Sequence, residues 1–272
     1  QHPNIVPIHE LGQLQDGRIF FTMKEVKGKS LRLTIREFYS QQDLSWSLRR
    51  LIDAFFQICE TISYAHNKGV IHRDLKPDNI FLIEDPTIRV GWKTRLIDMD
   101  GSILTDIKAP WHDDEQKGYL GTQNYHSPEH LTRNKDGSKK VPVPASDVFT
   151  CSLILYELLT GEHPFLSATP EEYMAKVKRG AQLPKLYGKL KVANAGATDE
   201  LARTMRDALS LNPDKRPTAS TLRLALLGRR PKMEPESDST HITDSSPPPP
   251  PPPPPPRRLA TVASAGCTSR RR

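Results

Sequence analysis

Cysteine is scarce: Cys59, Cys151 and Cys267 are the only three in 272 residues, far apart and odd in number. No CxxC pair exists, so neither a disulfide framework nor a zinc site is indicated. Cys59 and Cys151 fall inside apolar helical patterns, where a small core residue is expected. Long hydrophobic runs are missing as well. None approaches the roughly 20 apolar residues needed to span a bilayer, so no membrane segment is expected. The chain opens on Gln1 rather than on Met and a secretory signal, the pattern of an intracellular fragment that starts within a domain. A cytoplasmic location is the corresponding expectation.

Proline is abundant instead, with ten of the 25 residues forming the unbroken run Pro247–Pro256. Such a tract cannot pair backbone amides or bury a face, so it is expected to be extended or disordered. Its functional reading is a docking site for a proline-reading domain, against the plainer one of a stiff spacer. Residues 229–272 hold eight Lys and Arg against four Asp and Glu, so this tail carries +4 of the formal +7. The remainder is nearly neutral, which removes the basis for a nucleic-acid reading.

Residues 1–228 are the part able to build a core. Ile5, Val6 and Ile8, the turn signal Gln15–Gly17 and the run Ile19–Met23 read as short strands. Leu48, Leu51, Phe55, Ile58, Ile62 and Ala65 recur at helical spacing up to Gly69. Ile80–Ile83 and Leu96–Ile97 are short apolar runs, followed by an irregular polar stretch from about 102 to 145. Val148–Leu159, ended by Gly161, reads as a buried helix. Thr169-Pro170-Glu171-Glu172 is a capping box opening a helix to about Arg179, and further helices begin at Thr198 and at Thr218, the last stopping at Gly228. Few strands early and many helices late make an α+β class.

Chemistry concentrates in Ile71-His72-Arg73-Asp74-Leu75-Lys76-Pro77-Asp78-Asn79. The string resembles the catalytic loop of the protein kinase family, most nearly bacterial-type (eukaryotic-like) serine/threonine kinases. The γ-phosphoryl transfer that this implies requires a carboxylate near the incoming hydroxyl, a cation near the transferring oxygens and oxygen ligands for Mg²⁺. Asp74, Lys76 and Asn79 supply these types within six residues. The resemblance implies a kinase-like fold using ATP and Mg²⁺, with Asp74 and Lys76 catalytic and Asn79 a metal ligand. It places the second metal ligand at Asp98 in Leu96-Ile97-Asp98-Met99-Asp100-Gly101, where the family has Asp-Phe-Gly. Asp100 then stands at the glycine position. The alternative register, with Asp100–Gly101 as the functional pair, stays open.

Other matches follow in family order. Gly121–Glu129 resembles the end of an activation segment, which implies that Thr122 bonds Asp74 and Lys76 and that Glu129 pairs with Arg216. Asp147 would brace the catalytic loop from the central helix, with Phe149 where the family has Trp. His2–Val6 and Met23–Gly28 resemble the fourth strand and the hinge. There the Lys24 carbonyl and Val26 amide would contact adenine, with Met23 as gatekeeper and Phe81 in the pocket floor. Lys76 and Thr122 together fit the serine/threonine class, so protein Ser/Thr hydroxyls are the implied substrates. No GxGxxG or VAIK occurs in these residues.

The reading is therefore a partial kinase domain over 1–228, divided into a remnant of the small lobe with the hinge (1–26) and the helical lobe (27–228). A proline-rich basic tail (229–272) follows. Lacking the phosphate-covering loop, this stretch alone is expected to bind Mg-ATP weakly or not at all. The alternative is a non-catalytic kinase-like module that binds partners through its helical lobe or tail. Ser102 and Thr105, or the cluster Asp113-Asp114-Glu115, are candidates to dock on Arg73. Thr261, Ser264 and Ser269 near arginines are pattern-level phosphorylation candidates, and His126 and His130 lack a third ligand for a metal.

Overall fold

The computed structural model describes residues 2–88, 90–99, 101–105, 121–138, 140–180 and 198–227. All of them belong to one unit spanning Gln1–Lys232. The proline run, Asp100, the Asp113–Glu115 cluster, Cys267 and the serines and threonines of the tail lie outside the described residues.

The chain opens on an antiparallel hairpin, β1 (Ile8–Gln13) and β2 (Ile19–Met23), closed where the Leu14 amide donates to the Arg18 carbonyl at 2.8 Å. Ile5 and Val6, expected in a strand of their own, precede β1 instead. They run beside the strand that ends at Leu96: the Leu96 amide donates to Asn4 at 2.7 Å and the Val6 amide to Leu96 at 3.3 Å. Ile8, Leu11, Leu14 and Met23 are exposed on this hairpin, and among the described residues β1 pairs with β2 alone.

After the hinge, β3 (Lys29–Ser30) joins a small antiparallel sheet, and α1 (Leu31–Tyr39) follows directly. Gly28 explains how close this junction is. A Cβ there would lie 2.4 Å from the Leu82 carbonyl oxygen, so only glycine lets the chain pass. Helix α1 was not separately legible in the periodicity. It is nine residues long and begins at Ser30, whose side chain accepts from the Leu33 amide at 3.3 Å.

Of the expected stripe, helix α2 (Leu48–Asn67) buries Leu51, Phe55, Ile58, Cys59, Ile62 and Ala65, with Ala54 beside them, while Leu48 is only half-buried. It is capped by Ser47 and released by Gly69 at φ +69°. Next come β4 (Val70–Ile71), a 3-10 turn (Pro77–Asn79), β5 (Ile80–Glu84), β6 (Trp92–Leu96) and β7 (Ile103–Leu104). Strands β3, β5 and β6 form one sheet with β5 in the centre, and β4 pairs with β7. The last pair sets both ends of the stretch that carries Asp74, Lys76 and Asn79, since the chain leaves β4 after Ile71 and returns at β7 from Ile103.

Helix α3 (Pro144–Thr160) is the centre of the core, with every residue from Ser146 to Thr160 buried. It starts four residues ahead of the apolar run because Pro144 suits a first turn and Ser146 Oγ accepts from the Val143 amide at 3.0 Å. Helices α4 (Pro170–Arg179), α5 (Thr198–Ala208) and α6 (Ala219–Leu226) complete the lobe. At α4 the Thr169 side chain accepts from the Glu172 amide, but Glu172 reaches past its expected partner to accept from Ala168 at 3.2 Å. The result is an α+β fold in which the described strands make three small sheets, the β1–β2 hairpin among them, beside a helical body.

Candidate active site

The loop between β4 and β5 carries Asp74, Lys76 and Asn79, and its shape is imposed from below by α3. Asp147, fully buried near the start of that helix, accepts from the His72 amide at 2.8 Å and the Arg73 amide at 3.0 Å. His66 Nε2 lies 2.9 Å from the same carboxylate. Burial pushes the Asp147 carboxyl up, but His66 and the loop amides outweigh it and hold the group below its ordinary value. Arg73, so fixed, adopts φ +73°, a conformation L residues rarely take. His72 beside it is kept neutral by burial, against the pull of Asp147, Asp74 and Asp98.

Asp74 is held at both carboxylate oxygens. Thr122 Oγ1 donates to one at 2.8 Å, and Lys76 Nζ donates to the other at 2.9 Å. Lys76 Nζ also donates to Thr122 Oγ1 at 2.6 Å, which closes a triangle of three side chains from the loop and the segment before α3. Asn79 Nδ2 donates to the Asp74 carbonyl at 3.0 Å and lies 3.3 Å from both Asp74 Oδ2 and Asp98 Oδ2. Asp98 is therefore brought to Asn79, from a backbone at φ +63° just beyond β6. Five of the expected site residues, Asp74, Lys76, Thr122, Asn79 and Asp98, thus meet in one place.

An Asn carboxamide beside an Asp carboxylate is a hard-oxygen pair suited to Mg²⁺, which usually takes one or two protein ligands together with substrate phosphates. The donor set fits that ion. Among the described residues no group of three or more His, Cys, Asp and Glu could cage a metal alone. His126 and His130 stack at 5.5 Å, and His130 Nδ1 lies 2.8 Å from Ser127 Oγ.

The hinge residues are placed apart from this cluster. Lys24 and Val26 line a half-open cavity of about 570 Å³ with Val6, Pro7, Glu25, Lys27, Ile83, Lys93 and Arg95. Neither Met23, exposed at the end of β2, nor Phe81, half-buried on β5, belongs to that lining. Ser102 Oγ lies 3.9 Å from Met99 Sδ, and the Thr105 amide donates to Gly69 at 2.8 Å.

A second polar network escaped sequence reasoning. Glu157 lies buried in α3, where Tyr125 donates to it at 2.6 Å and Arg32 of α1 forms an ion pair with it. Arg32 also donates to Tyr125 and reaches Asp78 at 3.3 Å, so α1, the catalytic loop, the segment before α3 and α3 itself share one guanidinium. A lone acidic residue inside the apolar run Val148–Leu159 was the available signal, since a buried charge demands a partner.

Glu129 and Arg216 form the expected pair, at 2.6 and 2.8 Å through both guanidinium nitrogens, with Ser146 Oγ adding a bond of 2.7 Å. Arg216 also lies 5.0 Å over the Phe149 ring. Burial pushes Glu129 up, but Arg216 and Ser146 overcome it and bring its carboxyl down to about 2.

Comparison with known proteins decides the family. The chain matches the protein kinase domain over residues 1–224. It belongs to the protein kinase family. Relatives include calcium/calmodulin-dependent protein kinase type II of Caenorhabditis briggsae, 35% identical over 221 residues that cover 80% of this chain and 36% of that protein. Serine/threonine-protein kinase PknB of Mycolicibacterium smegmatis is 28% identical over 233 residues, covering 83% and 33%. Serine/threonine-protein kinase PknD of Chlamydia muridarum is 28% identical over 209 residues, covering 67% and 20%. The kinase domain here thus spans about a third or less of these relatives' lengths. No helix among its described residues is long and apolar enough to cross a membrane.

Proposed function

We propose that this chain carries the catalytic lobe of a serine/threonine protein kinase, with Asp74, Lys76 and Thr122 acting on the reacting groups. Asn79 and Asp98 would hold Mg²⁺, and the Lys24–Val26 backbone, Met23 and Phe81 would line the adenine site. The observation that supports it best is the closed triangle of Asp74, Lys76 and Thr122. In the reaction a substrate hydroxyl oxygen bonds to the γ-phosphorus, the β–γ bridging P–O bond breaks, and ADP leaves. Bound Mg-ATP supplies the phosphoryl group and the metal neutralises its charge.

Asp74 orients the hydroxyl and takes its proton, and its own orientation is fixed because both oxygens are already bonded within the chain. Lys76 holds positive charge next to that carboxylate, where the transferring oxygens pass. Thr122 links the pair to the segment that precedes α3, so the loop has its working shape only when that segment is seated. Glu129 and Arg216 hold the seat. The alternative, a partner-binding module without chemistry, draws on Asp100 at the family's glycine position.

The test is phosphate transfer from Mg-ATP to a generic basic protein, by the polypeptide at its natural length, wild type against Asp74→Asn. The variant is expected to lose at least about 100-fold, the usual contribution of a positioned acid–base group. Equal rates would refute the assignment and leave the binding-module reading.

A further inference from the structure

Resting on the kinase reading, we propose that Asn124 is a positioning residue, a clamp that acts on the chemistry only by setting where Thr122 sits. The Thr122 hydroxyl has to reach Asp74 and Lys76 at once, at 2.8 and 2.6 Å. Such bonds fail once the heavy atoms part by much more than about 3.2 Å. Both of those partners hold the end of the Thr122 side chain, so its backbone needs support of its own.

The turn Thr122–Tyr125 supplies part of it, the Tyr125 amide donating to the Thr122 carbonyl at 3.0 Å. Asn124 is the third residue of that turn and stands at φ +71°. A left-handed third residue is Gly or Asn in such turns, so either would serve the backbone. The side chain separates the two. Asn124 Nδ2 donates to the Ser167 carbonyl at 3.1 Å, and the Ser167 amide donates to Asn124 Oδ1 at 3.1 Å. One carboxamide thus pairs with both backbone groups of a single residue, as a neighbouring strand would. Glycine can make neither bond, and an aspartate could only accept.

Ser167 is a fixed point to clamp against. It lies in the connection between α3 and α4, and its hydroxyl donates at 2.8 Å to the carbonyl of Phe165, itself buried. Residues beyond Asn124 are anchored to the helices directly. Thr150 of α3 donates to the Tyr125 carbonyl at 2.9 Å, and Tyr173 of α4 donates to the His126 carbonyl at 2.8 Å. Gln123 reaches the Ala168 carbonyl at 2.7 Å but is exposed, so the half-buried Asn124 pair is the firmer hold next to Thr122. Catalytic groups have to be kept within about 0.5 Å of their working places. A misplacement of about 1 Å can cost about 100-fold in rate. Among the described residues Asn124 bonds none of those assigned to adenine or Mg²⁺, so its effect belongs in kcat.

The test uses the polypeptide at its natural length, with Mg-ATP and a generic basic protein, and thermal unfolding confirms that each variant is folded. Asn124→Gly keeps the turn and removes the clamp. It is expected to lower kcat about 10- to 100-fold with KM for ATP unchanged, and Asn124→Asp should fall between it and wild type. Because Asn124 acts through Thr122, Thr122→Val/Asn124→Gly should be no slower than the worse single variant. A kcat for Asn124→Gly equal to wild type overturns the proposal, and so does a double variant whose loss is the product of the single losses. Hydrogen exchange of the Tyr125 amide reads the clamp without any phosphate transfer, and should be at least about tenfold faster in Asn124→Gly. Unchanged exchange overturns the clamp, whereas Asp74→Asn as fast as wild type overturns the kinase reading and leaves exchange to decide the clamp. If Asn124→Gly fails to fold, Asn124→Asp decides by the same measurements.

Discussion

At the scale of single residues, Thr122 shows how little slack the catalytic loop has. Its hydroxyl donates to Asp74 at 2.8 Å and accepts from Lys76 at 2.6 Å, so one side chain sets the orientation of the two charged groups. A hydrogen bond to a charged group contributes about 1.5–3 kcal/mol. Thr122→Val should therefore lower kcat about 10- to 100-fold with KM for ATP nearly unchanged, while Thr122→Ser restores most of the rate. Steady-state kinetics on the full-length polypeptide measure both, and equal kcat in Thr122→Val would remove Thr122 from the machinery. Arg32 is the contrasting case. Nothing in its local sequence marks it, yet it binds Glu157, Tyr125 and Asp78. Arg32→Ala leaves Glu157, whose side chain is 8% exposed, without its cation. A loss of about 2–4 kcal/mol in urea unfolding is expected, toward the lower end because Arg32 itself is partly solvated.

At the scale of elements, legibility tracked whether the signal was local. The stripe of α2, the Thr169 and Thr218 caps and the Gly161 terminus all depend on residues within a turn or two of one another, and each was readable. So was the cluster of Asp74, Lys76 and Asn79, because its members lie within six residues. What periodicity alone could not supply were contacts made across the chain. Strands β3, β4 and β7 are two residues each and exist only through their partners. The Ile5 segment follows Leu96 instead of forming a strand, because β6 offers it an unpaired edge. His66 reaches Asp147 across 81 residues. Gly28 belongs to the same group, since its necessity is visible only once Leu82 lies against it. Gly28→Ala would drive a Cβ to 2.4 Å from that carbonyl, and backbone cannot yield as a side-chain tip does. The expected cost is about 1–3 kcal/mol, seen as a Tm lower by about 2–12 °C for a domain of this size. An unchanged Tm would show that the hinge relaxes freely.

At the scale of the whole molecule, the Glu129–Arg216 pair ties the segment before α3 to the turn before α6, and it makes acid stability partly the property of one group. The Glu129 carboxyl is lowered from an ordinary 4.5 to about 2 in the folded chain. Its contribution is therefore fully present above about pH 4.5 and is lost as pH falls from there through about 2. Glu129→Gln should be less stable than wild type at pH 7 by about 3 kcal/mol, because Arg216 is left buried without its counter-charge. Its disadvantage should shrink as pH falls across that window. Urea unfolding at several pH values measures the convergence, and a gap constant with pH would show that Glu129 does not titrate as described.

Helix α3 has a consequence for how the protein is made. A helix buried from Ser146 to Thr160 has no water-facing side on which to wait. Its partners arrive at different times during synthesis, since α2 leaves the ribosome earlier and α5 later. In the interval the newborn chain can cover the helix's Val, Phe, Leu and Ile side chains against α2 but not yet on the side that α5 takes. That open side is what a holdase chaperone would grip, and the rate at which α5 emerges would set how long the grip lasts.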